Sequence, residues 1–343
     1  MKRIGLLLIN LGSPSSTAIG DVRRYLSQFL SDPRVIDLPA PARFLLLHGV
    51  ILRVRPSRSA ALYKRIWTER GSPLIFHTRD LANRLESSLD RSHPEEYSVQ
   101  FAMRYGSPSM DEALAAFERD GIHEIIAMPL YPQYSSATTG STLEELYRLC
   151  GQKTVVPSLR TIAPFYNHPA FFRAYAGMAR EHLNRRGFKP DHTLFTFHGL
   201  PESHIRSAVR DGGCLREGCC ETKNDRNRLC YRAQCFATAD LIAREMELKK
   251  GSWSVSFQSR MGRTPWIAPY TDETIRAIAA SGCRSLAVMA PSFVADCLET
   301  LEEIDGAGGD IFRREGGEEF FYIPAPNSDP AWVKALLDIL GIG

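Results

Sequence analysis

Short apolar runs that end in Gly, Pro or Ser turns alternate along this chain with longer amphipathic stretches. The runs Ile4–Asn10, Ser98–Met103, Glu124–Pro129, Thr193–His198, Trp253–Phe257 and Ser285–Ala290 predict strands. They are almost continuously apolar, as strands buried on both faces are. Helical periodicity predicts helices over Ile19–Leu30, Met110–Arg119, Thr142–Leu149, Ala170–Arg186, Phe236–Glu247 and Asp272–Ala280. Strands alternating with helices predict an α/β fold with parallel sheets. Right-handed crossovers then bring the C-terminal ends of the strands to one edge of each sheet.

The two halves echo each other. Glu124–Pro129, a loop and Thr142-Leu-Glu-Glu-Leu146 are matched by Ser285–Pro291, a loop and Glu299-Thr-Leu-Glu-Glu303. Asn10-Leu-Gly-Ser-Pro14 and His198-Gly-Leu-Pro201 each close an earlier strand. The echo is short enough for chance to remain an alternative to duplication. Two similar α/β domains are expected, 1–160 and 161–327, divided near the proline-rich stretch Pro157–Pro169, with their loop edges around a common ligand cleft. Residues 328–343 are expected to form a terminal helix, with Trp332, Leu336 and Leu337 on one side, packing back on the first domain.

Charge and composition narrow the class. A net charge of +3 over 343 residues, with 24% charged residues, gives no reason to expect nucleic acid as a partner. The first strand follows Met1-Lys2-Arg3 directly and is too short for a secretory core, so a cytoplasmic protein is expected. The run Phe44–Leu52 is far below the roughly 20 apolar residues of a membrane span. It lies in a stretch of about 33–58 flanked by Arg43, Arg53, Arg55 and Arg58. It is either a core helix or a lip beside the cleft that touches a membrane surface.

Three segments place polar chemistry where strands end. Leu194-Phe-Thr-Phe-His198 delivers one imidazole to a strand terminus, and Gly199 permits another group to come close. Such a histidine binds metal or moves protons near neutral pH, or simply caps the strand. Glu299 and Glu303 are four residues apart on one helical face, within Asp296-Cys297-Leu-Glu299-Thr-Leu-Glu302-Glu303-Ile-Asp305. They form either an ordinary acidic first turn or a row of hard oxygen ligands for a divalent cation. The loop Tyr131–Ser141 offers aromatics for a flat ligand, or an N-cap.

Five of the eight cysteines fall in the pattern C-x4-C-C-x9-C-x4-C from Cys214 to Cys235. In a chain with no export signal this favours metal over disulfides. The paired C-x2-C of zinc knuckles is missing, and four thiolates suit a [2Fe–2S] cluster. Five candidates, Cys214, Cys219, Cys220, Cys230 and Cys235, compete for four places.

Together these segments resemble the ferrochelatase family over nearly the whole chain. The resemblance rests on Asn10-Leu-Gly-Ser-Pro14, Phe101-Ala-Met-Arg104-Tyr105-Gly106, Pro129 through Gly140, Phe197-His-Gly-Leu-Pro201, Phe257-Gln-Ser-Arg260, Pro265-Trp266, Tyr270-Thr-Asp-Glu273 and Phe293 through Glu303. It implies two Rossmann-like, chelatase-like domains that grip a porphyrin, and insertion of ferrous iron into protoporphyrin IX to form protohaem. His198 matches the family's active-site histidine, Glu299 the carboxylate opposite and Glu303 a further acidic residue. His198 and Glu299 are the expected iron ligands. Leu11, Arg55, Tyr63, Ser72, Arg104 and Trp266 match porphyrin-contacting positions. Cys297 departs from the histidine that many relatives carry two residues before the glutamate. The cysteine segment, within an insertion over about 206–235, resembles one that holds a [2Fe–2S] cluster in some bacterial members, and the resemblance makes Cys235 the least certain ligand, because cluster-free relatives can also carry cysteine there. Alternatives are a chelatase for another metal or for coproporphyrin, and a non-catalytic haem or porphyrin carrier.

Overall fold

A computed structural model describes residues 4–209, 214–216, 218–220, 224–262 and 264–342. It contains two four-stranded sheets in which every neighbouring pair is parallel. The first comprises β1 (Ile4–Gly12), β2 (Tyr97–Tyr105), β3 (Glu124–Pro129) and β4 (Ser158–Thr161), in the order β2-β1-β3-β4. The second comprises β5 (His192–His198), β6 (Trp253–Gln258), β7 (Ser285–Met289) and β8 (Glu319–Tyr322), in the order β6-β5-β7-β8. The second order repeats the first, strand for strand. The loops repeat too: Met103 N–H donates to the Pro108 carbonyl after β2, and Phe257 N–H donates to the Pro269 carbonyl near the end of β6. A helix follows each of these loops, Met110–Arg119 and Thr271–Ala280.

The chain groups into two compact units. One contains residues up to Tyr131, Ser135–Pro164 and Asn327–Val333, and the other Pro132–Tyr134, Phe165–Pro326 and Lys334 onward. Helix Pro330–Leu340 is therefore divided between the groupings: its start belongs with the first unit and its remainder with the second. Trp332, Leu336 and Leu340 are fully buried.

In the first unit the core forms where sheet residues Leu7, Ile9 and Ala127 meet Leu114, Phe117 and Leu146 of the flanking helices. Phe117 lies so close to β1 that a Cβ on Gly5 would be 3.0 Å from its ring. In the second unit Leu194, Leu286 and Val288 meet Ile275, Phe312 and Phe320. Helix Met110–Arg119 starts at a capping box, in which the Ser109 hydroxyl accepts from Glu112 N–H and the Glu112 carboxylate accepts from Ser109 N–H.

Two strands and one long helix stand outside the expected set. β4 and β8 are four-residue edge strands with too few apolar positions to mark them. Helix Pro73–Ser92 carries its own signals, proline at its first position and Leu74, Leu81, Leu85 and Leu89 on its buried side. Residues 40–66 form helical turns, Ala40–Leu46, a π-helical turn Leu47–Ile51 and Leu52–Ile66. Phe44 and Leu45 are 61% and 69% exposed there, and Val50 and Val54 are also exposed, so this stretch is not a core helix. No helix among the described residues is long and apolar enough to cross a membrane.

Phe117→Ala should lower the unfolding free energy by about 3–5 kcal/mol, the range for emptying a buried phenylalanine site. Denaturant unfolding measures this; a loss below about 1 kcal/mol would mean that the first sheet does not rely on this ring.

Candidate functional site

β5 ends at His198, half-buried and held at three points. Its backbone N–H donates to Ser292 Oγ at 3.3 Å, and its carbonyl accepts from the Tyr231 hydroxyl at 2.8 Å. Its ring Nδ1 lies 2.6 Å from the Gly199 carbonyl. A carbonyl can only accept, so Nδ1 carries the proton in this contact, and in the neutral ring Nε2 then presents its lone pair. Gly199 is needed at its position. Its N–H donates to the Gln258 carbonyl at 2.8 Å, and a Cβ there would come within 2.7 Å of that same oxygen. The Trp266 ring lies 6.4 Å from the imidazole, centroid to centroid.

Parallel register places Gln258, the last residue of β6, opposite His198. Its side chain accepts from Thr196 Oγ1 at 3.1 Å and donates to the Glu299 carbonyl at 3.0 Å. The next residue, Ser259, donates to Glu303 twice at 2.6 Å, from its N–H and its hydroxyl. Glu299, through its backbone carbonyl, is thus tied to the last residue of β6, and Glu303, through its carboxylate, to the residue after it. Burial raises the Glu303 carboxyl above the ordinary carboxylate range. The Ser259 bonds and the nearby His198 charge oppose this, and the negative charge of Glu299 adds to it. Glu303 therefore senses both His198 and Glu299.

The two glutamates stand on a π-helix, Glu299–Gly308, not on the α-helix that the i,i+4 argument assumed. A π-helix bonds i to i+5, so its turn is wider, and such segments recur at functional sites. Its start is anchored by buried Asp296, whose Oδ1 accepts from Tyr322 OH (2.8 Å), Thr300 Oγ1 (3.0 Å) and Ala325 N–H (3.3 Å). Asp296 thus serves inside the protein, apart from the row of carboxylates. Burial pushes the Cys297 thiol up, and the adjacent Glu299 charge pushes it further. A small cavity of about 210 Å³ opens beside Glu303, with Ser259, Arg260 and Asp272 in its wall. A larger hollow of about 720 Å³, lined by Asp191, His192 and Cys283, lies at the opposite, N-terminal end of β5 and holds none of these residues.

In the first unit, Leu11 is half-buried near the end of β1 and its N–H donates to Asn10 Oδ1. Arg55 is half-buried, and Tyr63 and Ser72 are buried. Ser72 is the residue before helix Pro73–Ser92. Arg104 donates to Asp32 at 2.9 Å and, through Nε, to Ser141 Oγ at 2.8 Å. Burial works to raise the Asp32 carboxyl, but bonds from Ser141, Tyr105 and Arg34 N–H, with the Arg104 charge, hold it below its ordinary range. In the Tyr131–Ser141 loop, Ser135 Oγ caps a π-helical turn by accepting from Thr138 N–H, and Tyr131 is buried. The N-cap alternative thus holds for Ser135.

The cysteine segment brings thiols together pairwise. Cys219 and Cys220 have sulfurs 3.6 Å apart. Cys230 is hydrogen-bonded with Cys220 and with Cys214, the Cys220 bond holding the Cys230 thiol below its ordinary range. Cys235 is fully buried and hydrogen-bonded with Tyr231. Among the described residues, no three or more His, Cys, Asp or Glu side chains are closed around one point as a metal site. That holds for these thiols and for His198 with the two glutamates.

Known proteins resemble this chain. The ferrochelatase family model matches residues 3–341. The chain is 43% identical over 338 residues to a ferrochelatase of Legionella pneumophila strain Paris, covering 98% of each chain. It is 47% identical over 337 residues to a ferrochelatase of Azotobacter vinelandii, covering 97% of each. Among solved structures it resembles SirB from Bacillus subtilis with Fe3+, with a TM-score of 0.53, 10% identity, and 99% and 94% of the two chains covered. At that identity the likeness concerns the fold alone, and it agrees with two parallel Rossmann-like sheets of the chelatase type. Family match and full-length identity together place this chain in the ferrochelatase family.

Proposed function

We propose that this chain inserts ferrous iron into protoporphyrin at the C-terminal edge of the second sheet, with His198, Glu299 and Glu303 carrying the step. As a member of its family it is a lyase of haem biosynthesis. The observation that carries the residue assignment is the Nδ1–Gly199 contact, which leaves Nε2 of His198 available at the end of β5, while the neighbouring end of β6 holds the Glu299 backbone carbonyl and the Glu303 carboxylate. A free-base porphyrin has two pyrrole N–H groups, so two protons leave for each Fe2+ that enters. Nε2 can accept one of them, with a carboxylate of the glutamate pair taking the other, or it can act as a ligand that steadies the incoming iron. Glu299 and Glu303 are hard oxygen donors for ferrous iron held weakly enough to be released. Periphery contacts from Leu11, Arg55, Tyr63, Ser72, Arg104 and Trp266 would hold the ring while it is distorted for metal insertion.

The thiols also support a resident [2Fe–2S] cluster, held by four of Cys214, Cys219, Cys220, Cys230 and Cys235. The donor chemistry fits: four sulfurs are already neighbours, Cys219 with Cys220, Cys220 with Cys230, and Cys230 with Cys214. Such a cluster supplies one-electron redox chemistry and a structural clamp, and is separate from the iron that is inserted. The exposed run around Phe44, Leu45, Val50 and Val54, with Arg43, Arg53 and Arg58, supports a peripheral contact with anionic membrane surfaces.

Three outcomes are expected. In a spectroscopic assay with Fe2+ and protoporphyrin, His198→Ala and Glu299→Gln should each lose activity by on the order of 10²-fold or more, while Glu302→Gln stays within about threefold, because the wide π-helical turn carries Glu302 off the Glu299/Glu303 side. Near-normal turnover by His198→Ala would remove it from the mechanism, and equal losses at Glu299 and Glu302 would mean a diffuse acidic patch. Anaerobically purified protein should carry about two irons per chain with visible charge-transfer absorption, lost in Cys220→Ser; zinc with no such absorption would overturn the cluster. Sedimentation with phosphatidylglycerol vesicles should pull down the wild-type chain but not Phe44→Asp/Leu45→Asp, and neutral phosphatidylcholine vesicles should pull down neither. Equal sedimentation of both proteins would refute the membrane contact.

A further inference from the structure

Asp32 stands just after helix Ile19–Ser31 and gathers donors from its own turn, from the end of β2 and from the start of helix Ser141–Gly151. Its Oδ1 accepts from Arg34 N–H at 2.7 Å. Its Oδ2 accepts from Arg104 Nη2 at 2.9 Å, from the Tyr105 hydroxyl at 2.8 Å and from the Ser141 hydroxyl at 2.6 Å. The Arg34 and Arg104 N–H groups can only donate, so each oxygen faces an obligate donor and the carboxyl is ionised. The pair is largely enclosed, with the Asp32 side chain 5% exposed and that of Arg104 15%. Arg104 is held on two sides: Nη2 by Asp32, and Nε by the Ser141 carbonyl at 3.1 Å and Oγ at 2.8 Å. Its guanidinium carbon lies 4.5 Å over the Tyr105 ring, which the bond to Asp32 fixes in turn. Among the described residues Nη1 takes no partner. A planar guanidinium tied at two nitrogens aims its third in one direction. Its charge is also met at close range, and an ion pair acts on a more distant group far more weakly than a lone cation does.

Resting on the reading of Arg104 as a porphyrin contact, we infer that Asp32 is a positioning residue for Arg104 and that it sets how this contact answers to the number of carboxylates on the porphyrin. With Asp32 in place, Arg104 offers an oriented N–H and no net charge. The contact then fixes the ring in one orientation without favouring a porphyrin that carries more carboxylates. Protoporphyrin has two propionates and coproporphyrin has four. A lone arginine here would draw the tetracarboxylate more strongly, because every further anionic group adds to the attraction. Asp32 removes that bias, and the pair suits a ring of low carboxylate count.

Asp32→Asn, Arg104→Gln and the double variant test this, each assayed with Fe2+ and both porphyrins at about 20 mM and about 300 mM salt. The readout is the ratio of kcat/KM for coproporphyrin to that for protoporphyrin, which a general loss of folded enzyme leaves unchanged. Asparagine keeps the shape of Asp32 and frees the Arg104 charge. Asp32→Asn should therefore raise the ratio about threefold over wild type at low salt, the size of a partly exposed ion pair, and the gain should fade at high salt. Arg104→Gln leaves the Asp32 charge uncompensated and should lower the ratio by a similar factor. The double variant carries neither charge and should return to the wild-type ratio. Loosened packing would not shift the two single variants in opposite directions, and Arg104→Gln keeps the test available if Asp32→Asn does not fold. A wild-type ratio in both single variants, or a shift of the same sign in both, would overturn the proposal. A wild-type chain that binds both porphyrins, as followed by porphyrin fluorescence, but inserts iron into neither would instead bring down the functional reading. The ratio of the two binding constants in the same variants would then still decide the role of Asp32.

Discussion

The parallel pairing of β5 between β6 and β7 is the constraint on which the candidate site depends. Parallel strands in one sheet all end on the same edge, so β5 and β6 deliver their last residues side by side. Register makes those residues His198 and Gln258. From that pairing the rest follows by short steps. The Gln258 carbonyl takes the Gly199 N–H, its side chain takes the Glu299 carbonyl, and Ser259 takes both oxygens of Glu303. A slip of one residue in β6 would turn Gln258 to the other face and break both links at once.

The second unit spends much of its buried polar inventory on holding these groups in place. Thr196 bonds Gln258, while Thr271 bonds Thr196 and Ser256. Asp296 fixes the start of the π-helix with three donors on one oxygen. Each of these groups would be costly if left unpaired in the interior, and together they leave little freedom at the strand ends. That rigidity suits a step in which a stiff macrocycle must be distorted, because a yielding site would deform in place of the ligand.

Repeated strand order ties the two sheets to a common plan, yet the candidate site stands on one of them. After β3 the chain makes a π-helical turn capped by Ser135 and enters helix Ser141–Gly151; after β7 it makes the long π-helix with Glu299 and Glu303. In the first unit the matching region carries hydroxyls and the Asp32–Arg104–Ser141 network. There a carboxylate is neutralised by an arginine and a serine, which suits support better than proton transfer.

Much of this was legible along the chain. Glu124–Pro129 and Met110–Arg119 coincide with their expected bounds, because a continuous apolar run and a capping box are local signals. The echo between the halves foreshadowed the repeated sheet order, and His198-Gly199 announced a close approach without naming the partner. β4 and β8 were hidden because four-residue edge strands have too few side chains to show a period. The π-helix was hidden because Glu299 and Glu303 fit an α-helical spacing equally well, and only the backbone bonds distinguish the two. The links of Ser292 and Tyr231 to the backbone of His198 were beyond sequence reading for a plainer reason. These partners lie 94 and 33 residues from it, and hydrogen-bond partners at such distances are chosen by tertiary packing and not by neighbours in the chain. Sequence alone determined which residue types reach the strand ends; tertiary structure decided which of them meet, because register and crossover fix a partner that no local pattern contains.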